Sequence, residues 1–171
     1  MAKIVVLGAG ISGHTAVSYL RENLSKEHEV VVVSPNSNYQ WIPSNIWVGV
    51  GRMKAEKLIF PLAPLYKKKG ITYIQAKVTT FHPEGDKETD KGFVTAEYVV
   101  GDNKGETVTV DYDYLINATG PKLNFEATEG LNPGTNKTAS VCTYTHAQHA
   151  WSDFEKLITR MKNGEHLKIL I

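Results

Sequence analysis

Lys3-Ile4-Val5-Val6-Leu7-Gly8-Ala9-Gly10-Ile11-Ser12-Gly13 is the stretch on which the reading of this chain turns. Residues 3–7 form a short, continuously apolar, β-branched run, the pattern of a strand covered on both faces inside a parallel sheet. Gly8, Gly10 and Gly13 then satisfy G-x-G-x-x-G, and beyond them Ala16, Val17, Leu20 and Leu24 keep helical spacing. Glu29 to Ser34 supplies a second apolar strand, which completes a βαβ unit. In such a unit the first glycine permits a tight turn. The second lets a diphosphate approach the backbone, and the third lets the helix pack closely on the strand. Free N–H groups and the positive end of the helix dipole complete an anion site. The alternative is a glycine-rich turn that binds nothing, and the motif's place between a strand and a helix favours the ligand.

Working outward, Tyr39 to Gly51 mixes aromatics with turn formers and reads as a loop or short helical turn. Pro61 to Lys69 reads as a short helix stopped by Gly70, and Ile71 to Ala76 as a third parallel strand. Phe93–Val100 and Glu106–Tyr112 alternate, with Val94, Ala96, Tyr98 and Val100 on one face and Val108, Val110 and Tyr112 on another. Residues 101–105 turn between them, so residues 91–112 read as an antiparallel insertion. Tyr114 to Ala118 returns to a buried strand ending at Thr119-Gly120-Pro121. Residues 121–140 read as loop. A helix is expected over 146–162, with Thr145 as N-cap and Gly164 as stop. Its apolar stripe is Ala147, Ala150, Trp151, Phe154, Leu157, Ile158 and Met161, which leaves His149 on the polar, solvent-exposed side. His166 to Ile171 reads as the opening of a further apolar strand, an abrupt end that suggests a truncated chain.

Composition sets the outer bounds. The 171 residues suit one filled domain, and 42% hydrophobic with 22% charged residues is an ordinary globular balance. Nineteen basic against 18 acidic residues leave +1, too little positive field for a nucleic-acid partner. Cys142 is the only cysteine, so an intrachain disulfide and a multi-cysteine zinc site are excluded, and no metal site is expected. No apolar run approaches the roughly 18 residues of a spanning helix. Glycines at 8, 10 and 13 break any likeness of the N-terminus to a signal peptide.

A dinucleotide site normally places an acidic residue about 20 positions after the glycines, to hold ribose hydroxyls. Here the second strand ends in Val33-Ser34-Pro35-Asn36, so Ser34 or Asn36 would meet the ribose through neutral, weaker hydrogen bonds. That departure disfavours NAD and leaves FAD open. The alternative for Ser34 and Asn36 is a plain turn-forming pair.

Several segments together resemble a known family. These are the glycine fingerprint, Ser34-Pro35-Asn36, Trp41-Ile42-Pro43-Ser44-Asn45-Ile46-Trp47-Val48-Gly49-Val50-Gly51, Asn117-Ala118-Thr119-Gly120-Pro121-Lys122-Leu123, and Ser140-Val141-Cys142-Thr143-Tyr144-Thr145-His146-Ala147. The chain resembles the N-terminal part of the sulfide:quinone oxidoreductases, which are flavoproteins with two dinucleotide-binding domains. The resemblance implies an α/β fold: a Rossmann-like, parallel-sheet FAD-binding domain over residues 1–165 with an antiparallel insertion. Residues 166–171 would open a second, truncated domain of similar kind.

Site residues follow from the resemblance. Gly8, Ala9, Gly10, Ile11, Ser12 and Gly13 would hold the FAD diphosphate, Ser34 and Pro35 the adenosine ribose, and Lys77 and Val78 would pass the adenine. Pro43 and Ser44 would lie near the flavin, and Thr119 and Gly120 would close over the cofactor. In the family, sulfide attacks a cysteine-bound sulfur bridge and electrons pass through FAD to a membrane quinone, chemistry suited to a thiolate. Two redox cysteines are required. Cys142 resembles the auxiliary first cysteine and His146 a histidine near it, so this chain alone would be inactive. Without the resemblance, Cys142 reads as a buried small hydrophobe and His146 as a helix-entry surface residue. Trp41 and Trp47 either cover the flavin or fill the core, with packing favoured for at least one. Sulfide and quinone are the implied substrates. A peripheral place on the prokaryotic cytoplasmic membrane, through C-terminal segments absent here, is implied for the whole enzyme, and the present chain would be soluble. A homo-oligomer is left open. Two alternatives stand: another flavoprotein of the fold (a type-2 NADH:quinone oxidoreductase or a flavocytochrome sulfide dehydrogenase), or a nucleotide-binding fragment without turnover.

Overall fold

The computed structural model describes residues 1–131, 133 and 138–168. Its strands and α-helices, in chain order, begin with β1 (Lys3–Leu7), α1 (Ile11–Asn23), β2 (Glu29–Val33), β3 (Asn38–Gln40) and α2 (Asn45–Gly49). There follow β4 (Ile59–Pro61), α3 (Leu62–Lys69), β5 (Thr72–Ile74), β6 (Ala76–His82) and β7 (Phe93–Tyr98). The remainder are β8 (Thr107–Asp111), β9 (Tyr114–Asn117) and α4 (Tyr144–Lys162). The chain divides into two compact units: Met1–Tyr39 with Pro61–Pro121, and Gln40–Phe60 with Lys122–Ile171.

The first unit is built on a parallel sheet of order β5-β2-β1-β9. Val5, Leu7, Val31 and Val33 pack on one side against Ala76, Val94, Ala96 and Val110 of a second sheet. Val6, Val30 and Val32 pack on the other against Val17 of α1 and Leu62 and Tyr66 of α3. Beyond their charged first residues, Lys3 and Glu29, the central strands are apolar because both faces are covered, each buried valine contributing about 1.5–3 kcal/mol. Gly70 ends α3 in the left-handed region, at φ 69°.

The second sheet, β6-β7-β8, is antiparallel, with Val94 opposite Val110 and Ala96 opposite Val108. The insertion is thus larger than the expected 91–112 and begins at Ala76. A register shift between Val78 and Thr80 breaks the alternation of β6, and Thr79, Thr80 and Phe81 are all exposed. A run without a period of two carries no strand signal.

His14, on α1, makes a part-buried polar contact with α3. Its Nδ1 lies 3.1 Å from the hydroxyl of the fully buried Tyr66, and its ring 4.7 Å from that of Tyr39. Burial, with the nearby charge of Lys69 in second place, holds the imidazole below its usual 6.5. As pH falls through 6.5 the unfolded chain binds a proton before the folded chain does. Stability from this group is therefore complete above pH 6.5 and lost progressively below it. Urea unfolding at pH 7 and pH 5 should show the loss, at no more than about 1.4 kcal/mol per pH unit, and His14→Phe should flatten it. Equal slopes in the two proteins would remove His14 as the cause.

In the second unit, Val48 of α2 packs with Ala55, Leu58 and Ala147 of α4. The N-cap of α4 is Thr143, not the expected Thr145, and the helix begins at Tyr144. The Thr143 hydroxyl accepts from the His146 N–H at 3.1 Å, which satisfies one of the free donors of the first turn. Trp41 and Trp47 are 47% and 50% exposed, against the expectation that at least one fills the core. Both sit on a short turn-and-helix segment whose inward positions are taken by Asn45 and Val48. Of the α4 stripe Ala147 is buried, whereas Phe154 and Met161 are exposed. Of the expected final strand, 169–171 lie outside the described residues, and 166–168 carry no regular structure.

Candidate functional site

In the first unit the chain turns from strand to helix at the carboxyl ends of the parallel strands. The Gly8 N–H donates to the Val33 carbonyl and the Ala118 N–H to the Leu7 carbonyl, both at 2.8 Å. β1 thus stays paired to its last residue, with β2 on one side and β9 on the other, before the chain lifts into α1. A crevice outside the strand ends, at such a reversal of strand order, is where open α/β sheets take ligands.

The three glycines have distinct duties. Gly8 has φ 91°, and a Cβ there would lie 2.4 Å from the Ala118 carbonyl oxygen. At Gly13 a Cβ would lie 2.1 Å from the Gly8 oxygen, so this glycine lets α1 sit against the turn. Gly10 differs: it is the N-cap of α1 at φ −74°, and no atom lies within 4 Å of the place its Cβ would occupy. Neither a side-chain cap nor an acidic residue neutralises the first turn of α1. Open space beside an uncapped helix start fits a diphosphate.

Around this corner the other candidate residues fall in order. The Asn117 side-chain oxygen accepts from both the N–H and the hydroxyl of Thr119, at 3.2 and 2.8 Å, and so shapes the loop that ends at Gly120 (φ 74°). Asn117 was not among the sequence candidates; an Asn two residues before a Thr at a strand end is an Asx-turn signal that could have found it. Ser34 is only 1% exposed, and its hydroxyl accepts from the Asn36 N–H at 3.4 Å. The surface after β2 is therefore offered by Pro35 and Asn36, both exposed. The Tyr73 hydroxyl donates to the Asn36 carbonyl and Gln75 donates to the Pro35 carbonyl, which fixes that turn. Burial pushes the Tyr73 phenol up to about 12, so it stays a donor throughout the working range. Lys77, exposed, and Val78, part-buried, follow two residues on, at the start of β6.

The remaining candidates belong to the second unit. Pro43 and Ser44 lie in a 3-10 turn, Ile42–Ser44, followed by the buried Asn45. Asn45 accepts from Gln40 and donates to the Val141 carbonyl, each at 2.9 Å, which joins the Pro-Ser-Asn turn to the segment bearing Cys142. Cys142 is exposed, so it is not a buried small hydrophobe. His146 packs edge-on to Phe125 at 5.7 Å, and its Nδ1 is shielded without a hydrogen-bond partner. His149 is exposed, as its helical position implied. Among the described residues no cluster could hold a metal, and no helix is long and apolar enough to cross a membrane.

Residues 2–158 match the family model described as pyridine nucleotide-disulphide oxidoreductase. The chain belongs to that family. Among the proteins it is similar to is the sulfide-quinone reductase of Aquifex aeolicus, 31% identical over 158 residues, covering 92% of this chain and 32% of that protein. A mitochondrial external alternative NAD(P)H-ubiquinone oxidoreductase B4 of Arabidopsis thaliana is 33% identical over 131 residues, 75% of this chain and 21% of that protein. The X-ray structure of the Aquifex aeolicus sulfide:quinone oxidoreductase superposes with a TM-score of 0.73 at 28% identity, over 93% of this chain and 33% of that one. The chain spans about a third of the length of the sulfide-quinone reductase it matches. Membership of this oxidoreductase family, and these neighbours, agree with the expected α/β fold and with the resemblance carried by the five segments together.

Proposed function

We propose that this chain is the FAD-binding part of a sulfide:quinone oxidoreductase. The observation that carries the reading is the open corner at Gly10, between two glycines that are both packed against backbone. The N–H groups at the start of α1 bind the diphosphate, and Gly8 and Gly13 hold the turn that aims them. Pro35, Asn36, Lys77 and Val78 receive the adenosine end, with Ser34 shaping the turn from beneath. Thr119 and Gly120 close the other side of the crevice. Pro43 and Ser44, with Cys142 and His146, form the flavin-side surface of the second unit. When bound, FAD supplies the two-electron chemistry between reduced sulfur and a quinone. Cys142 presents a thiol at that surface as the auxiliary group. Sulfur transfer that needs two cysteines is not completed by the one cysteine of this chain. A quinone dissolved in a bilayer puts the working enzyme at a membrane surface.

The Arabidopsis thaliana relative makes NAD(P)H the competing electron source. Steady-state reduction of a short-chain quinone by the polypeptide that carries this chain separates the two. Sulfide should support turnover without nicotinamide. Turnover with NADH and none with sulfide would replace the proposed substrate while leaving the FAD site in place.

A further inference from the structure

We propose that Asn45 is the positioning residue of the second unit's flavin-side surface, holding the Cys142 segment in fixed register with the Pro43–Ser44 turn; this rests on the function proposed above. Among the described residues only Ser34 and Asn45 are buried polar side chains, and Asn45, at 1% exposure, is satisfied at both ends. A buried amide is costly unless both its donor and its acceptor are used. Here the donor is used on a backbone carbonyl 96 residues away. A leucine would fill the space but would leave the Val141 carbonyl unaddressed.

The second point of the brace lies one helical turn along α2, on the same face. At Gly49 a Cβ would stand 2.8 Å from Val141 Cγ1 and about 4 Å from Ala147, itself fully buried. Val141 is therefore gripped at its carbonyl by Asn45 and at its side chain by the notch at Gly49. Cys142 follows directly, exposed, with its N–H turned back to the Ser140 hydroxyl at 3.1 Å. Thr143 then caps α4, and Ala147 anchors that helix one turn later. Asn45 touches no reacting atom. It sets where the thiol points.

The test is the rate at which iodoacetamide alkylates Cys142, read by mass spectrometry on the folded protein with and without FAD. Cys142 is exposed in the native state, so unfolding does not gate the reaction, and the ratio of the two rates reports its place beside the flavin. Bound FAD should slow wild-type alkylation about tenfold. Asn45→Asp keeps the acceptor for Gln40 and loses the donor to Val141; it should still bind FAD while the ratio falls toward one. Gln40→Met removes only the other arm and should keep the wild-type ratio. Gly49→Ala, which pushes on the Val141 side chain while leaving the Asn45 amide in place, should lower the ratio in the same sense and serves if Asn45→Asp does not fold. A wild-type ratio in both Asn45→Asp and Gly49→Ala overturns the proposal. FAD bound with no wild-type protection overturns it too, by removing Cys142 from the flavin side. No FAD binding by the wild-type protein overturns the functional reading beneath it.

Discussion

Replacing Gly13 by valine should lower the unfolding free energy by about 3 kcal/mol or more, which for a chain of this size moves the melting temperature down by about 10 °C. The cause is backbone meeting backbone. The first added carbon would lie 2.1 Å from the Gly8 carbonyl oxygen and 2.9 Å from its carbon. Gly8 cannot retreat, because its N–H is held by Val33 and a Cβ of its own would already strike the Ala118 carbonyl. α1 would have to lift off β1, uncovering Val17 and the valines beneath it. The usual gain from removing a glycine inside a helix, about 1 kcal/mol, is too small to compensate. Thermal melts of wild-type and Gly13→Val proteins decide this, and equal melting temperatures would mean that α1 is not seated as described.

The second large effect is at Gly10, and it is of the opposite kind. Gly10→Val should change stability by less than about 1 kcal/mol, because the added atoms meet open space and φ −74° suits any residue. The entropy gained by replacing glycine and the loss of a tolerable N-cap roughly cancel. FAD retention should nonetheless fall at least about a hundredfold, since the side chain stands where the diphosphate must approach the N–H groups. One variant that destabilises the fold and another, three residues away, that only empties the site would separate the packing glycine from the binding glycine. A Gly10→Val protein that keeps wild-type flavin affinity would show that the crevice beside Gly10 serves something else.

The difference between Gly10 and Gly13 also shows how far the sequence could be read. The pattern of three glycines between an apolar strand and an amphipathic helix is local, so β1, α1 and β2 were legible from spacing alone. The packing duty of Gly13 and the open corner at Gly10 matched the general motif. Features set by distant partners were not legible. β6 escaped because its bulge at Val78/Thr80 destroys alternation, and it is identified by pairing with β7 rather than by its own pattern. Thr143 and Thr145 are equivalent as caps on paper, and only the reach of one hydroxyl to the His146 N–H separates them. Ser34 is expected from sequence to face the ribose, but its burial under its own turn is invisible there. Asn45 is visible in sequence as part of the Pro-Ser-Asn segment, but its bracing role is not, because its partner lies 96 residues on. Tryptophan size suggested a core role for Trp41 or Trp47, yet the short helix that carries them turns Asn45 and Val48 inward instead.

The most direct test of the account is a crystal structure of the protein grown with FAD. The account places the diphosphate within hydrogen-bonding distance of the N–H groups of Ile11 and Ser12, over the hydrogen of Gly10, with the adenosine running toward Pro35 and Lys77. Well-defined FAD whose diphosphate lies elsewhere, or a map in which protein side chains close the corner at Gly10, would contradict it.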